Sequence, residues 1–353
     1  MSGRLDLRRG IVVSADPLEV EIDGERRRAW ADEVLLGEMR ESDEVVVNAA
    51  ALDLGLGSGG FDLVHVNLTR GLGGGVEGDA HVMKLNYTSL QHPVEPVEGM
   101  GGAERESDES VGSGGAGASA ARRAVPVAVL PLHGHLAPAA WAVSQAWPGR
   151  RVGYVQTAGG ALPGSLSRDV AELRERGLLA GHVTAAPAYG GEREALSAVG
   201  ALDAAATALG WDAVLVGPGP GIIGSDTEYG HGGMEALSSA HAALSLKLPT
   251  ILSPRLSSGD PRERHCGLSH HTATVLELLL APVTVPIPAG APELASQVSA
   301  ASIGLHRVEP VPVDLDAYAA SGLPTTTMGR ALADDPLFFE AALATGAFLA
   351  LPR

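Results

Sequence analysis

The sequence predicts an α/β protein: a Rossmann-like, doubly wound parallel sheet domain over residues 125–353, preceded by a small all-β, barrel-like domain over 1–95. Three observations carry this. Up to residue 95 the apolar runs are short, rich in Val and Ile, and divided by turn residues. From Val125 onward, near-continuous apolar runs alternate with stretches of helical spacing, the pattern of a parallel sheet covered on both faces. Between the two, residues 96–124 are Gly, Ser and acidic residues without hydrophobic period; such a segment cannot bury enough apolar surface to offset its ordering and reads as a flexible linker.

In the first part, Arg9 to Ser14, Leu18 to Ile22, Glu44 to Ala49 and Leu63 to Leu68 have strand character. Ala15-Asp16-Pro17, Asp23-Gly24 and Gly57-Ser58-Gly59-Gly60 punctuate them, and Asp23-Gly24 between extended runs is a strong hairpin signal. A barrel or sandwich of this size often serves as a docking or lid module.

In the second part, strands are predicted at Val125 to Leu132, Arg151 to Thr157, His182 to Pro187, Ala213 to Val216, Pro249 to Ser253 and Val283 to Ile287. Helices are predicted at Ala137 to Ala146, Leu166 to Arg176, Arg193 to Leu209, Met234 to Leu246 and His270 to Leu280. Asp334-Asp335-Pro336 has helix-start chemistry and Leu337 to Leu349 helical spacing, its phenylalanines packing on this domain or on a second subunit.

In an open parallel sheet, ligands bind beyond the carboxyl ends of the strands, where loops converge and helix N-termini present free N–H groups. The residues at those ends are rich in glycine and histidine: Leu132-His133-Gly134-His135, then Thr157-Ala158-Gly159-Gly160, then the long run Gly217 to Gly233, then Ser253-Pro254-Arg255 with His265-Cys266 and Ser269-His270-His271 beyond it. Gly217, Gly219, Gly221 and Gly224 would let backbone approach a ligand, or would serve an ordinary long turn that needs positive φ. Thr157, Gly159 and Gly160 would bind an anion at the following helix N-terminus, or merely cap it, and Arg255 would add fixed positive charge.

The histidines admit three roles. As general acid or base, His133, His135, His231, His270 or His271 needs only a polar neighbour, which Asp226 or Glu228 would supply. As ligands of a divalent metal, the extended His133-x-His135 pair would point two side chains one way, with His270 and Asp226 or Glu228 completing the set. As structural groups they would cap helices or bond carbonyls. Cys266 beside His265 suggests a nucleophile, but a lone cysteine is commonly a small buried hydrophobe.

Several classes are disfavoured. Gly219-Pro-Gly221-Ile-Ile-Gly224 spells G-x-G-x-x-G but follows the wrong strand and does not open directly into a helix, which argues against NAD or FAD. No G-K-[ST] ending, H-E-x-x-H or G-x-S-x-G is present. The formal charge of −17 argues against nucleic acid and anionic membranes. A single cysteine and the absence of a long apolar run or signal-peptide pattern lead us to expect a cytoplasmic location.

Asn48 to Asn67, with Leu54-Gly-Leu-Gly-Ser-Gly-Gly60, His81 to Pro93, the His133 turn, Thr157 to Pro163, Gly217 to Gly233 and Gly267 to Leu276 together resemble a bacterial family catalogued as a domain of unknown function. The resemblance implies the same two-part architecture and no particular activity. The expectation from the residues is a hydrolase or group transferase acting on a small polar or anionic metabolite, with a homodimer as the candidate assembly. The rival is a non-catalytic nucleotide or anion sensor whose β-domain contacts a protein partner.

Overall fold

A computed structural model describes residues 4–56, 59–74, 80–100, 122–302 and 304–351. The chain divides into two compact units, Met1–Val94 and Glu95–Arg353.

The first unit contains a closed five-stranded barrel of β1 (Leu7–Ala15), β2 (Leu18–Ile22), β3 (Glu25–Trp30), β4 (Glu44–Asn48) and β5 (Asp62–Asn67), in the order β1-β2-β3-β5-β4. Asp23 and Gly24 form the two-residue turn between β2 and β3, both at positive φ (52° and 83°), so that Ile22 faces Glu25 across the hairpin. The sequence reading does not assign β3, because Glu25-Arg26-Arg27-Arg28 is wholly polar. Arg27 is nonetheless half-buried, its Nε 2.7 Å from the buried Asp62 Oδ2. Val12, Val20, Ile22, Val45, Val47 and Val64 fill the interior. Gly10 is bare because a Cβ there would lie 2.5 Å from Val20 Cγ1. Short helices α1 (Glu33–Leu36) and α2 (Ala50–Asp53), and a hairpin of β6 (Val82–Lys84) and β7 (His92–Val94), complete the unit.

The second unit is built on an all-parallel sheet of eight strands: β8 (Val127–Val129), β9 (Val152–Thr157), β10 (Gly181–Ala185), β11 (Arg193–Ala195), β12 (Ala213–Pro218), β13 (Thr250–Leu252), β16 (Thr284–Pro288) and β17 (Arg307–Val311). Their order is β11-β10-β9-β12-β8-β13-β16-β17. A separate antiparallel pair, β14 (Leu256–Ser257) and β15 (Gly267–Leu268), follows β13. Val127 and Val129 share one apolar cluster with α5 (Ala198–Thr207), α6 (Glu235–Ser245), α7 (His270–Leu278) and α8 (Glu293–Ala301). Ala128 and Leu130 share another with α3 (Leu136–Ala146), α4 (Arg168–Glu175), α9 (Leu315–Ala319) and α10 (Pro336–Leu349). The sheet is therefore wound on both faces, as the alternating pattern predicts. Phe338 and Phe339 are buried inside this unit at 0% and 1% exposure, which removes them as contacts to a second subunit.

Two expectations are corrected. Arg193 does not open a helix: residues 193–195 form edge strand β11, with Glu194 accepting from Thr184 Oγ1 (2.6 Å) and Gly190 N (2.7 Å). The helix starts only after the Ser197 cap. At the start of the expected linker, Val97 is 1% exposed and Glu98 accepts the N–H groups of Leu196 and Ser197, so residues 97–99 belong to the folded second unit. Residues 101–121 of that stretch, like Gly57 and Ser58, lie outside the described residues.

The topology determines where a site forms. β8 and β12 are neighbours, yet β8 runs on to α3 on one face and β12 to α6 on the other. Their loops part, and the crevice between them is where open α/β sheets bind ligands.

Candidate active site

The loops after β9 and β12 lie backbone against backbone. A Cβ on Gly232 would stand 1.8 Å from the Gly159 carbonyl oxygen, one on Gly160 2.1 Å from that of Gly219, and one on Gly219 2.3 Å from that of Ala161. Ala161 N–H donates to Pro220 O at 2.7 Å. Gly217 is likewise closed in by Leu130 O, while Gly221 (φ 75°) serves a turn and Gly224 bridges to His231. The immediate use of so many glycines is to let two loops touch without side chains between them.

Beneath these loops lies a buried polar group. His133 Nδ1 contacts Pro218 O at 3.2 Å; because a carbonyl only accepts, Nδ1 carries the proton, and Nε2 accepts from Ser167 Oγ at 2.7 Å. Ser167 caps α4, accepting from Val170 N, and Tyr154 Oη also donates to Pro218 O at 2.8 Å. Burial lowers the His133 pKa, and Asp169, 3.9 Å from Nε2, opposes that shift. Thr157 is buried at the end of β9.

The principal constellation lies at the ends of β12 and β13. His231 and His271 stack with ring centroids 3.5 Å apart, His270 and His271 are 4.3 Å apart, and His265 stands 4.8 Å from His270 and 4.9 Å from His271. A small hairpin with the Ser225 N–H donating to Gly230 O (2.7 Å) returns His231 to the sheet edge. Ser269 caps α7, setting His270 and His271 on its first turn, and its Oγ lies 2.7 Å from His265 Nδ1. His231 Nε2–H donates to Glu228 O (3.1 Å), and His270 Nδ1–H to Arg264 O (3.2 Å). Among the described residues, His231 Nδ1 and His265 Nε2 are buried without a hydrogen-bond partner.

Burial holds all four rings neutral. It pushes His265 down to about 3 with help from Arg255 and Arg262, and His271 down to about 2 with help from His231 and Arg255. His231 and His270 are lowered by the same burial, each opposed by its bond to a carbonyl. Ring lone pairs are thus available at neutral pH.

Arg255 borders the cluster at 4% exposure. Its Nη1 donates to His271 Nδ1 (3.1 Å), its Nη2 to Asp260 Oδ2 (3.3 Å), and its Nε is unpartnered. Burial brings this guanidinium down to about 10. Asp260 also takes Arg262 and Arg330, while Asp335 binds Ser257 Oγ (2.7 Å) and Arg330 Nε (3.0 Å).

Of the sequence-predicted residues, the structure brings His231, His270, His271 and Arg255 together. His133 lies in the separate buried group. His135 is overturned as a partner of His133: residues 133–135 form a tight turn, not an extended pair, and His135 is fully buried between Phe338 and Ser253, far down at about 3 through burial. Asp226 is exposed and paired with Arg264, and Glu228 engages His231 by its carbonyl; neither carboxylate orients a histidine. Cys266 is exposed, with Sγ donating to Asp260 O (3.2 Å). His265 is placed at these strand ends by the sequence but left out of its acid–base and metal candidates, although its spacing of five and six residues from a capped His-His pair was the available signal. Two surface grooves, of about 240 and 260 Å³, lie at the opposite, amino-terminal ends of β9 and β10 around Arg151 and Ala180 and carry none of this chemistry.

No helix among the described residues is long and apolar enough to cross a membrane. No curated protein and no solved structure matches the chain. Residues 28–346, spanning the barrel from β3 onward, the glycine loops and the histidine cluster, match the family described as protein of unknown function DUF3866, and the chain belongs to that family.

Proposed function

We propose that the chain is an enzyme, a hydrolase or group transferase, acting on a small polar or anionic metabolite at the histidine cluster. The observation that carries this reading is the convergence of four neutral imidazoles, one from the loop after β12 and three from the segment leading into α7, at the carboxyl edge of a parallel sheet, two of them with buried, unpartnered ring nitrogens. In this reading His231 is the base. Its Nε2–H is tied to the Glu228 carbonyl, which leaves the Nδ1 lone pair to take a proton from water or an acceptor hydroxyl. His231 then returns that proton to the leaving group, while His270, fixed by Arg264 O, presents its Nε2 lone pair to the site. Arg255, with its free Nε–H, holds the anionic part of the substrate.

The test is a panel of phosphate esters, carboxylic esters and amides, with thermal shift and product formation followed together. Turnover by the wild type that falls on the order of 100-fold or more in His231→Ala, with the fold retained, supports the assignment. Turnover equal to the wild type in both His231→Ala and His270→Ala overturns it. Ligand-induced stabilisation with no product would identify the non-catalytic sensor instead.

A further inference from the structure

We propose that His265, His270 and His271 hold one divalent transition-metal ion through their ring nitrogens. One nitrogen from each lies within 4.8 Å of the others, and they are the only such group of histidine, cysteine and carboxylate ligands among the described residues.

The second observation is independent of the clustering. His265 is 0% exposed and its Nε2 has no hydrogen-bond partner, although an unpaired buried polar atom is costly in a folded interior. The outer contacts are those that metal-bound histidines make. A ligating imidazole presents one nitrogen to the ion and engages a hydroxyl or carbonyl through the other. His265 Nδ1 is engaged by Ser269 Oγ at 2.7 Å, and His270 Nδ1–H by Arg264 O at 3.2 Å, which directs Nε2 of both rings to the ion.

Two effects oppose binding, and both have local answers. Histidine–metal bonds of about 2.0–2.1 Å span at most about 4.2 Å across one ion. The 4.8 Å span must therefore close by at least about 0.6 Å, and by about 1.4 Å for tetrahedral angles, which rotation of the partly exposed His270 ring can supply. Ligation through His271 Nε2 puts the proton on Nδ1, facing Arg255 Nη1 at 3.1 Å, so that contact has to be released; Asp260 Oδ2, already 3.3 Å from Nη2, is placed to take the guanidinium. Asp260 also offsets the local positive charge, since it binds Arg262 and Arg330 as well. The all-nitrogen donor set selects zinc or a neighbouring late first-row ion over magnesium or calcium, which prefer oxygen. Three protein ligands leave a coordination position for water or substrate, the arrangement of catalytic sites and not of closed structural ones. His231, stacked on His271, then remains as the base beside the ion.

The site stands on the geometry alone; only its use in catalysis rests on the proposed function. The test is Zn²⁺ stoichiometry on chelator-stripped full-length protein, together with the visible spectrum after Co²⁺ addition and with Mg²⁺ as comparison. One Zn²⁺ per chain, no competition by Mg²⁺, a visible Co²⁺ band, and affinity lower by on the order of 100-fold in His270→Ala support the assignment. His241→Ala, outside the cluster, should bind as the wild type does. His270→Gln serves if the alanine variant fails to fold. No stoichiometric Zn²⁺ on the wild type, or undiminished affinity in both His270→Gln and His271→Gln, overturns it. Metal bound without turnover on any substrate would sink the enzyme and leave the site; turnover by a wild type that binds no stoichiometric Zn²⁺ would do the reverse.

Discussion

Asp260 is the residue on which the arginines beside the cluster depend. It is buried, accepts from Arg262 through both oxygens and lies within 3.5 Å of Arg255 and Arg330, and these cations hold its carboxyl far below the usual range, with the Arg262 hydrogen bonds the largest cause and burial opposing them. Its folded pKa is depressed, so the unfolded chain binds the extra proton. The stabilisation is complete above the unfolded value of about 3.9 and is lost as pH falls below it. Asp260→Asn should destabilise the protein by about 3 kcal/mol at pH 7, since it takes the carboxylate from the buried Arg255 guanidinium, whereas Arg330 keeps Asp335. The gap between variant and wild type in urea unfolding should narrow as pH falls from 5 towards 3; a constant gap would show that the carboxylate charge is not what matters. At this scale the sequence was legible where a residue's chemistry and its position at a strand end coincide, as for His231, His270 and Arg255. It misled at His135, because whether a side chain turns to the crevice or the core depends on one tight turn and on Phe338, more than two hundred residues away in the chain.

Among elements, the paired glycine loops make the clearest demand on sequence. Alanine at Gly232 would put Cβ 1.8 Å from Gly159 O, so one loop must move, whereas alanine at Gly290 meets nothing within 4 Å. Gly232→Ala is expected to lose about 1–3 kcal/mol, as overpacking does, and to displace the adjacent His231; Gly290→Ala should be near neutral. Urea unfolding decides the first part, and an unchanged stability in Gly232→Ala would mean that the loops do not meet. Element type was readable from apolar period for β9, β12, α3 and α6. It failed at Arg193 because Glu-Arg-Glu suits a helix by local preference, while pairing of Val183 with Arg193 and Ala185 with Ala195 draws the segment into the sheet edge. It also stopped short of β17, whose polar and half-buried Arg307-Val308-Glu309 lacks the apolar run of an inner strand.

For the whole molecule, strand order was beyond the sequence. Local patterns state that a run is a strand, but only long-range packing puts β12 between β9 and β8, and that order brings the His133 turn and the Gly217–Gly233 loop to one crevice. Unit boundaries follow from where buried clusters end. The barrel's cluster of Val12, Val20, Ile22, Met39, Val45, Val47 and Val64 contains no residue of the second unit, and the second unit's two clusters contain none of the barrel's. A core that closes on itself is the condition for independent folding. His231, Arg255, Asp260, His265, His270 and His271 all lie within Glu95–Arg353, together with every strand end that positions them. The fragment 95–353 should therefore unfold cooperatively and bind Zn²⁺ with the affinity of the full chain. A fragment that folds but has lost the ion would mean that the barrel completes the centre, and the cluster alone would then be insufficient to account for it.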